Sequence, residues 1–181
     1  MNPNHTPDAT PLATATSDRP DVPQTFCKLL VGLDRTNASS SVFQRALALA
    51  KAQNSHLFLF HGLSARVPTP NVLVAGSLGV YGGGYTQEML DQAQQWADEE
   101  RQQVLVWLRE LCDQAIAAGV AAEFDYRDGE PGQQMCALAR NWDADLLIVG
   151  RRGRAGLSEL VLGSVSNYVV HHAHCAVLVV Q

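Results

Sequence analysis

Five short runs rich in Val, Leu, Ile and Phe punctuate this chain, and between them apolar residues recur at helical spacing. The runs are TFCKLLVGLD (25–34), SHLFLFHGL (55–63), VAAEFDYRDGEP (120–131, a strand with its turn), ADLLIVG (144–150) and AVLVVQ (176–181). Most are continuous rather than alternating, the pattern of strands buried on both faces. The intervening stretches predict helices over 35–54, 86–119, 132–143 and 164–175. Val42, Ala46, Leu49 and Ala50 give the first an apolar face, with Ser39 or Ser40 as its cap. Trp96, Val104, Leu108, Leu111 and Ala115 put one stripe on the second, which Gly119 closes. Pro131 suits the start of the third. This order implies an α/β fold: an open, five-stranded parallel sheet with helices on both faces.

Residues 1–24 are proline- and threonine-rich, with almost no large apolar side chain, so they predict a disordered tail before a domain at 25–181. Residues 64–85 carry several Pro and Gly positions and end in YGGGY, which reads as a long loop. A net charge of −5 argues against a general nucleic-acid surface. No apolar run reaches the length of a membrane span and no leader segment is evident, so the expected location is the cytoplasm. Cys27, Cys112, Cys136 and Cys175 are scattered in apolar contexts, which predicts reduced, buried thiols.

In an open parallel sheet ligands gather beyond the carboxyl ends of the strands, where strand order reverses. Asp34 follows the first strand, His61 and Gly62 close the second, and Gly150 closes the fourth. After Gly150 come Arg151, Arg152, Gly153 and Arg154, then Gly163-Ser164 at the start of the last helix. Glycine lets backbone N–H groups approach an oxyanion without a Cβ in the way, and a helix N-terminus adds free N–H groups and a positive dipole end. Ser164 could cap that helix or donate its hydroxyl to a phosphate.

Gly150-x2-Gly153-x9-Gly163-Ser164 resembles the nucleotide-binding signature of the universal stress protein family. The LLVGLD opening, the HGL after the second strand and the closing GSVSNYVVHHAHCAVLVV are similar to family positions, and the likeness spans about residues 26–181. The resemblance implies a strand order of 3-2-1-4-5. It implies that Asp34 and the backbone of Gly62 hold an adenosine, and that Gly150, Gly153, Gly163, Ser164 and Val165 hold the triphosphate of ATP, with Mg²⁺. It further implies a homodimer formed through the last strand, Ala176 to Val180, and a nucleotide-dependent sensor or regulator in stress response. The alternative is a family member that binds AMP, a cyclic dinucleotide or nothing, and acts as an interaction module. This sequence departs from the family at Arg35-Thr36, at Arg151-Arg152 and at Gly62, which stands where a β-branched residue is commoner.

Other constellations point less far. His171 and His174 lie about a turn apart, but histidines near a helix C-terminus are favoured by the dipole alone, so no metal site is expected. His61 reads as structural rather than as a base. Neither lysine follows a glycine, which excludes a Walker A loop, and no GxSxG or GxGxxG is present. No catalytic set for phosphoryl or adenylyl transfer is visible, so binding with slow or no turnover fits better than a dedicated enzyme.

Overall fold

A computed structural model describes residues 26–35, 37–63, 87–151 and 162–181. The tail 1–24, the loop 64–85 and Gly153 lie outside the described residues. The strands are β1 (Lys28–Gly32), β2 (His56–Leu63), β3 (Ala122–Asp128), β4 (Leu146–Gly150) and β5 (Ala176–Val180). The helices are α1 (Asn37–Gln53), α2 (Gln87–Ala117), α3 (Pro131–Trp142) and α4 (Ser164–His172). All strand pairs are parallel, as the continuous apolar runs predict, and the order is β3-β2-β1-β4-β5, as the family resemblance implies. The chain reverses its direction of progress between β1 and β4, which places the crevice at their carboxyl ends.

Side chains on a strand point alternately to opposite faces, and here each set has its own core. Leu29, Val31, Leu57, Leu59, Leu146 and Ile148 pack with Val42, Phe43 and Ala46 of α1 and Val104 and Leu108 of α2. Leu30, Phe58, Phe60, Leu147 and Val149 pack with Met135, Cys136 and Ala139 of α3 and Val169 of α4. Burial on both faces explains why the central strands lack alternation. The edges differ: β3 carries Glu123, Asp125 and Arg127 at half-buried positions, whereas β5 is wholly apolar with Ala176 and Leu178 exposed.

Several boundaries move from their expected places. α1 begins at Asn37, so Ser39 and Ser40 stand inside the helix rather than capping it. α4 ends at His172, not at residue 175, because Ala173 turns extended (φ −66°, ψ 144°) so that Ala176 can pair with Leu146. His174 therefore shares no helix face with His171. Ser164 is the first helical residue, and the cap position belongs to Gly163. Gly119 does end the turn after α2, at φ +84°, where a left-handed backbone suits glycine.

Two burial expectations need correcting. Trp96 is 54% exposed, and the other α2 side chains described before Val104 are half-buried or exposed, so that part of the helix lies outside the described core. Cys112 and Cys136 are buried, but Cys175 is intermediate and Cys27, just before β1, is exposed. Burial pushes the Cys112, Cys136 and Cys175 thiols up, away from the reactive thiolate.

Candidate functional site at the carboxyl edge of the sheet

Strand register collects the residues of interest. Gly32 pairs with Phe60 on one side and Val149 on the other. Two positions further along each strand direction stand Asp34, Gly62 and Arg151, with Gly150 just before Arg151. Residues far apart in sequence thus share one rim above the switch point. Asp34, Gly62, Gly150 and Arg151 are all half-buried there, the exposure a ligand-facing rim requires.

The far end of the arginine- and glycine-bearing segment returns to the same place. The Gly163 N–H donates to the Arg151 carbonyl oxygen at 2.8 Å, and the Arg151 N–H donates to the Val180 carbonyl at 2.7 Å. Ser166, which is buried, places its hydroxyl 3.0 Å from the carbonyl oxygens of both Arg151 and Gly163. Gly163 is extended (φ −64°, ψ 161°) with no side-chain cap, and its carbonyl accepts the first helical bond, from the Asn167 N–H at 2.8 Å. The first-turn N–H groups of α4, at Ser164 and Val165, have no partner within the helix. They face the end of the sheet with the positive end of the helix dipole. Ser164 is exposed and Val165 half-buried. Gly150, Gly163, Ser164 and Val165 are therefore brought together.

Gly62 is fixed by packing. A Cβ built on it would lie 2.5 Å from Pro131 Cβ and 2.9 Å from Pro131 Cα. Gly132, next along α3, is as tight: its Cβ would meet the Tyr168 side chain of α4 at 2.9 Å. The missing side chain at 62 thus lets α3 close onto β2, and α3 in turn onto α4, directly beneath the rim.

The α2 side of the rim is charged and tied down. Arg35 Nη1 donates to Gln103 Oε1 at 3.1 Å. Arg101 bonds Asp98 at 3.0 Å and reaches Asp128, at the end of β3, at 3.5 Å. The Asp128 carboxylate, then Asp98, raises the Arg101 pKa, so this guanidinium stays charged and is held in ion pairs. Among the described residues no group of three or more His, Cys, Asp or Glu side chains is placed to hold a metal. Sequence reasoning missed the Arg151 carbonyl as the closing point and Pro131 as the reason for Gly62. The first signal was available, since Ser166 is a polar residue on the inner side of an amphipathic helix; the second spans from β2 to α3 and left none.

The universal stress protein family profile matches residues 25–181. The chain belongs to the universal stress protein family. The universal stress protein Sll1388 of Synechocystis sp. is 39% identical over 157 residues, covering 86% of this chain and 98% of that one. Among solved structures, the universal stress protein UspA from Lactobacillus plantarum superposes with a TM-score of 0.69 at 18% identity, covering 87% of this chain and 99% of its own. That likeness concerns the fold. A universal stress protein in complex with cAMP is 25% identical with a TM-score of 0.57, covering 87% of this chain and 98% of its own. Within this universal stress protein no described helix is long and apolar enough to cross a membrane.

Proposed function

We propose that this universal stress protein binds ATP at the carboxyl edge of its sheet and acts as a nucleotide-dependent sensor or regulator in stress response. The observation that carries this reading is the bond from the Gly163 N–H to the Arg151 carbonyl. It sets the last strand residue Gly150 and the open N-terminus of α4 side by side, so a polyphosphate meets glycine backbone and unpaired N–H groups together. Asp34, just past the end of β1, and Gly62 of β2 take the nucleoside end. Gly153 joins the phosphate side by its place in the signature. Mg²⁺ is ordinarily held by substrate phosphates, one or two carboxylates and water, so the lack of a three-ligand cluster among the described residues is compatible with a cation that arrives on the triphosphate. A bound nucleotide that turns over slowly or not at all suits a sensor.

The relative solved with cAMP favours a second reading, in which the site takes a monophosphate or cyclic nucleotide. Calorimetric titration of dialysed protein with ATP, ADP, AMP and cAMP separates the two. ATP is expected to bind at least tenfold more tightly than AMP, about 1.4 kcal/mol, through its β- and γ-phosphates. Equal or tighter binding of AMP or cAMP would replace ATP as the ligand.

The sheet edges support a homodimer through β5. Charged side chains on β3 discourage edge pairing, and β5 has none. Leu178 is 39% exposed on the face opposite Val177 and Val179, which pack inward. Leu178→Arg is expected to convert a dimeric sedimentation coefficient to a monomeric one without loss of helical circular dichroism. A dimer that survives the change would move the interface elsewhere.

A further inference from the structure

His61 is buried at 3% exposure in the last turn of β2, where a solvated ligand residue would not need to be. Its Nδ1 lies 2.8 Å from the Leu33 carbonyl oxygen. A carbonyl can only accept, so Nδ1 carries the proton and the imidazole donates. The Leu33 N–H donates to the Phe60 carbonyl at 2.9 Å. Both backbone groups of Leu33, the residue after β1 ends, are thus held by β2, one by the sheet ladder and one by a side chain. The imidazole itself is steadied by Trp107 of α2, whose ring meets it edge-on at 5.5 Å and 87°. The next residue along the chain is Asp34.

We propose that His61 is the positioning residue for Asp34: its Nδ1–H fixes the Leu33 carbonyl, and that fixed peptide aims Asp34 into the nucleoside end of the site. The inference rests on the nucleotide-binding reading above for its ligand, but the backbone restraint is measurable without one. The Leu33 N–H is still on the sheet ladder, and among the described residues the His61 side chain is the donor to its carbonyl. Without it, a buried carbonyl is left unsatisfied and the peptide is free to rotate toward another donor. Asp34 would then sample orientations in which it makes no productive contact, and affinity falls by the fraction of time spent away.

Three variants test this in the full chain. His61→Asn places an amide N–H near the position of Nδ1, His61→Gln places it near Nε2, and His61→Phe keeps a ring against Trp107 with no donor. Hydrogen exchange of the Leu33 amide is expected to rise about tenfold in His61→Phe and His61→Gln, and to stay within about threefold of the parent in His61→Asn. ATP and AMP affinities are expected to fall about tenfold in His61→Phe and His61→Gln, by the same factor for both ligands, since the lesion is at the nucleoside end. Should His61→Phe fail to fold, the Asn and Gln pair alone decides, because a merely space-filling role would not rank Asn above Gln. Unchanged exchange in the variants, or faster exchange with unchanged affinity, overturns the proposal. A parent protein that binds none of the adenine nucleotides sinks the functional reading instead, and the exchange data then still judge the restraint on Leu33.

Discussion

If ATP is the ligand as proposed, Gly163→Pro is expected to weaken its binding by about 10- to 100-fold while leaving the fold in place. Proline fixes φ near −65°, and Gly163 already sits at −64°, so the ring fits the backbone angle it replaces. What it removes is the N–H that closes the segment onto the Arg151 carbonyl. The Ser166 hydroxyl remains to hold that carbonyl, which limits the stability loss to the scale of one neutral hydrogen bond, about 1 kcal/mol. The ligand loses more, because a bond from a backbone N–H to a charged phosphate is worth about 1.5–3 kcal/mol and the closure aligns several at once. The comparison to make is ATP against AMP by calorimetry, with thermal unfolding as the control. ATP should lose the larger factor. An unaltered ATP affinity in folded Gly163→Pro would mean that the α4 N-terminus does not face the phosphates.

Gly62→Val destabilises the protein by about 1–3 kcal/mol, the usual cost of forcing extra carbon into a packed site. In a domain of this size that lowers the melting temperature by about 3–10 °C. The clash is with Pro131, whose ring and Cα are part of the first turn of α3 and cannot rotate away. Relief would require α3 to shift as a body, and Gly132 against Tyr168 holds its other side. Pro131→Ala in the same chain should recover part of the loss by removing the ring carbon Cγ, which stands 2.7 Å from the added Cβ. Differential scanning calorimetry of the single and double variants measures both effects. Full stability in Gly62→Val would show that α3 can back off, and that glycine is not required for its packing here.

This pair of glycines also marks the limit of what the chain discloses when read linearly. The parallel, two-faced core was legible, because apolar runs such as LLIVG and helical stripes such as Val104–Leu108–Ala115 record their own burial, whereas the strand order came only from the family resemblance. The rim residues Gly150, Gly163 and Ser164 were legible because their spacing is local to one loop. The Leu33–His61 bond and the Gly62–Pro131 contact were not, since each depends on register between separate elements. Trp96 fell the other way for a related reason. Periodicity tells which face of a helix is apolar, but not where the sheet beneath it ends.

That overhang has an energetic meaning. From Gln87 to Gln103, α2 extends over about 25 Å, at 1.5 Å per residue, before the first buried side chain among those described, at Val104. Its described side chains are half-buried or exposed, and a helix of that length with little apolar burial to repay its nucleation is marginal in water. The ties at Arg101–Asp128 and Arg35–Gln103 fall at the junction with the packed portion. Amide protons upstream of Arg101 are therefore expected to exchange through a local opening that leaves both cores intact, and those from Val104 onward to exchange more slowly.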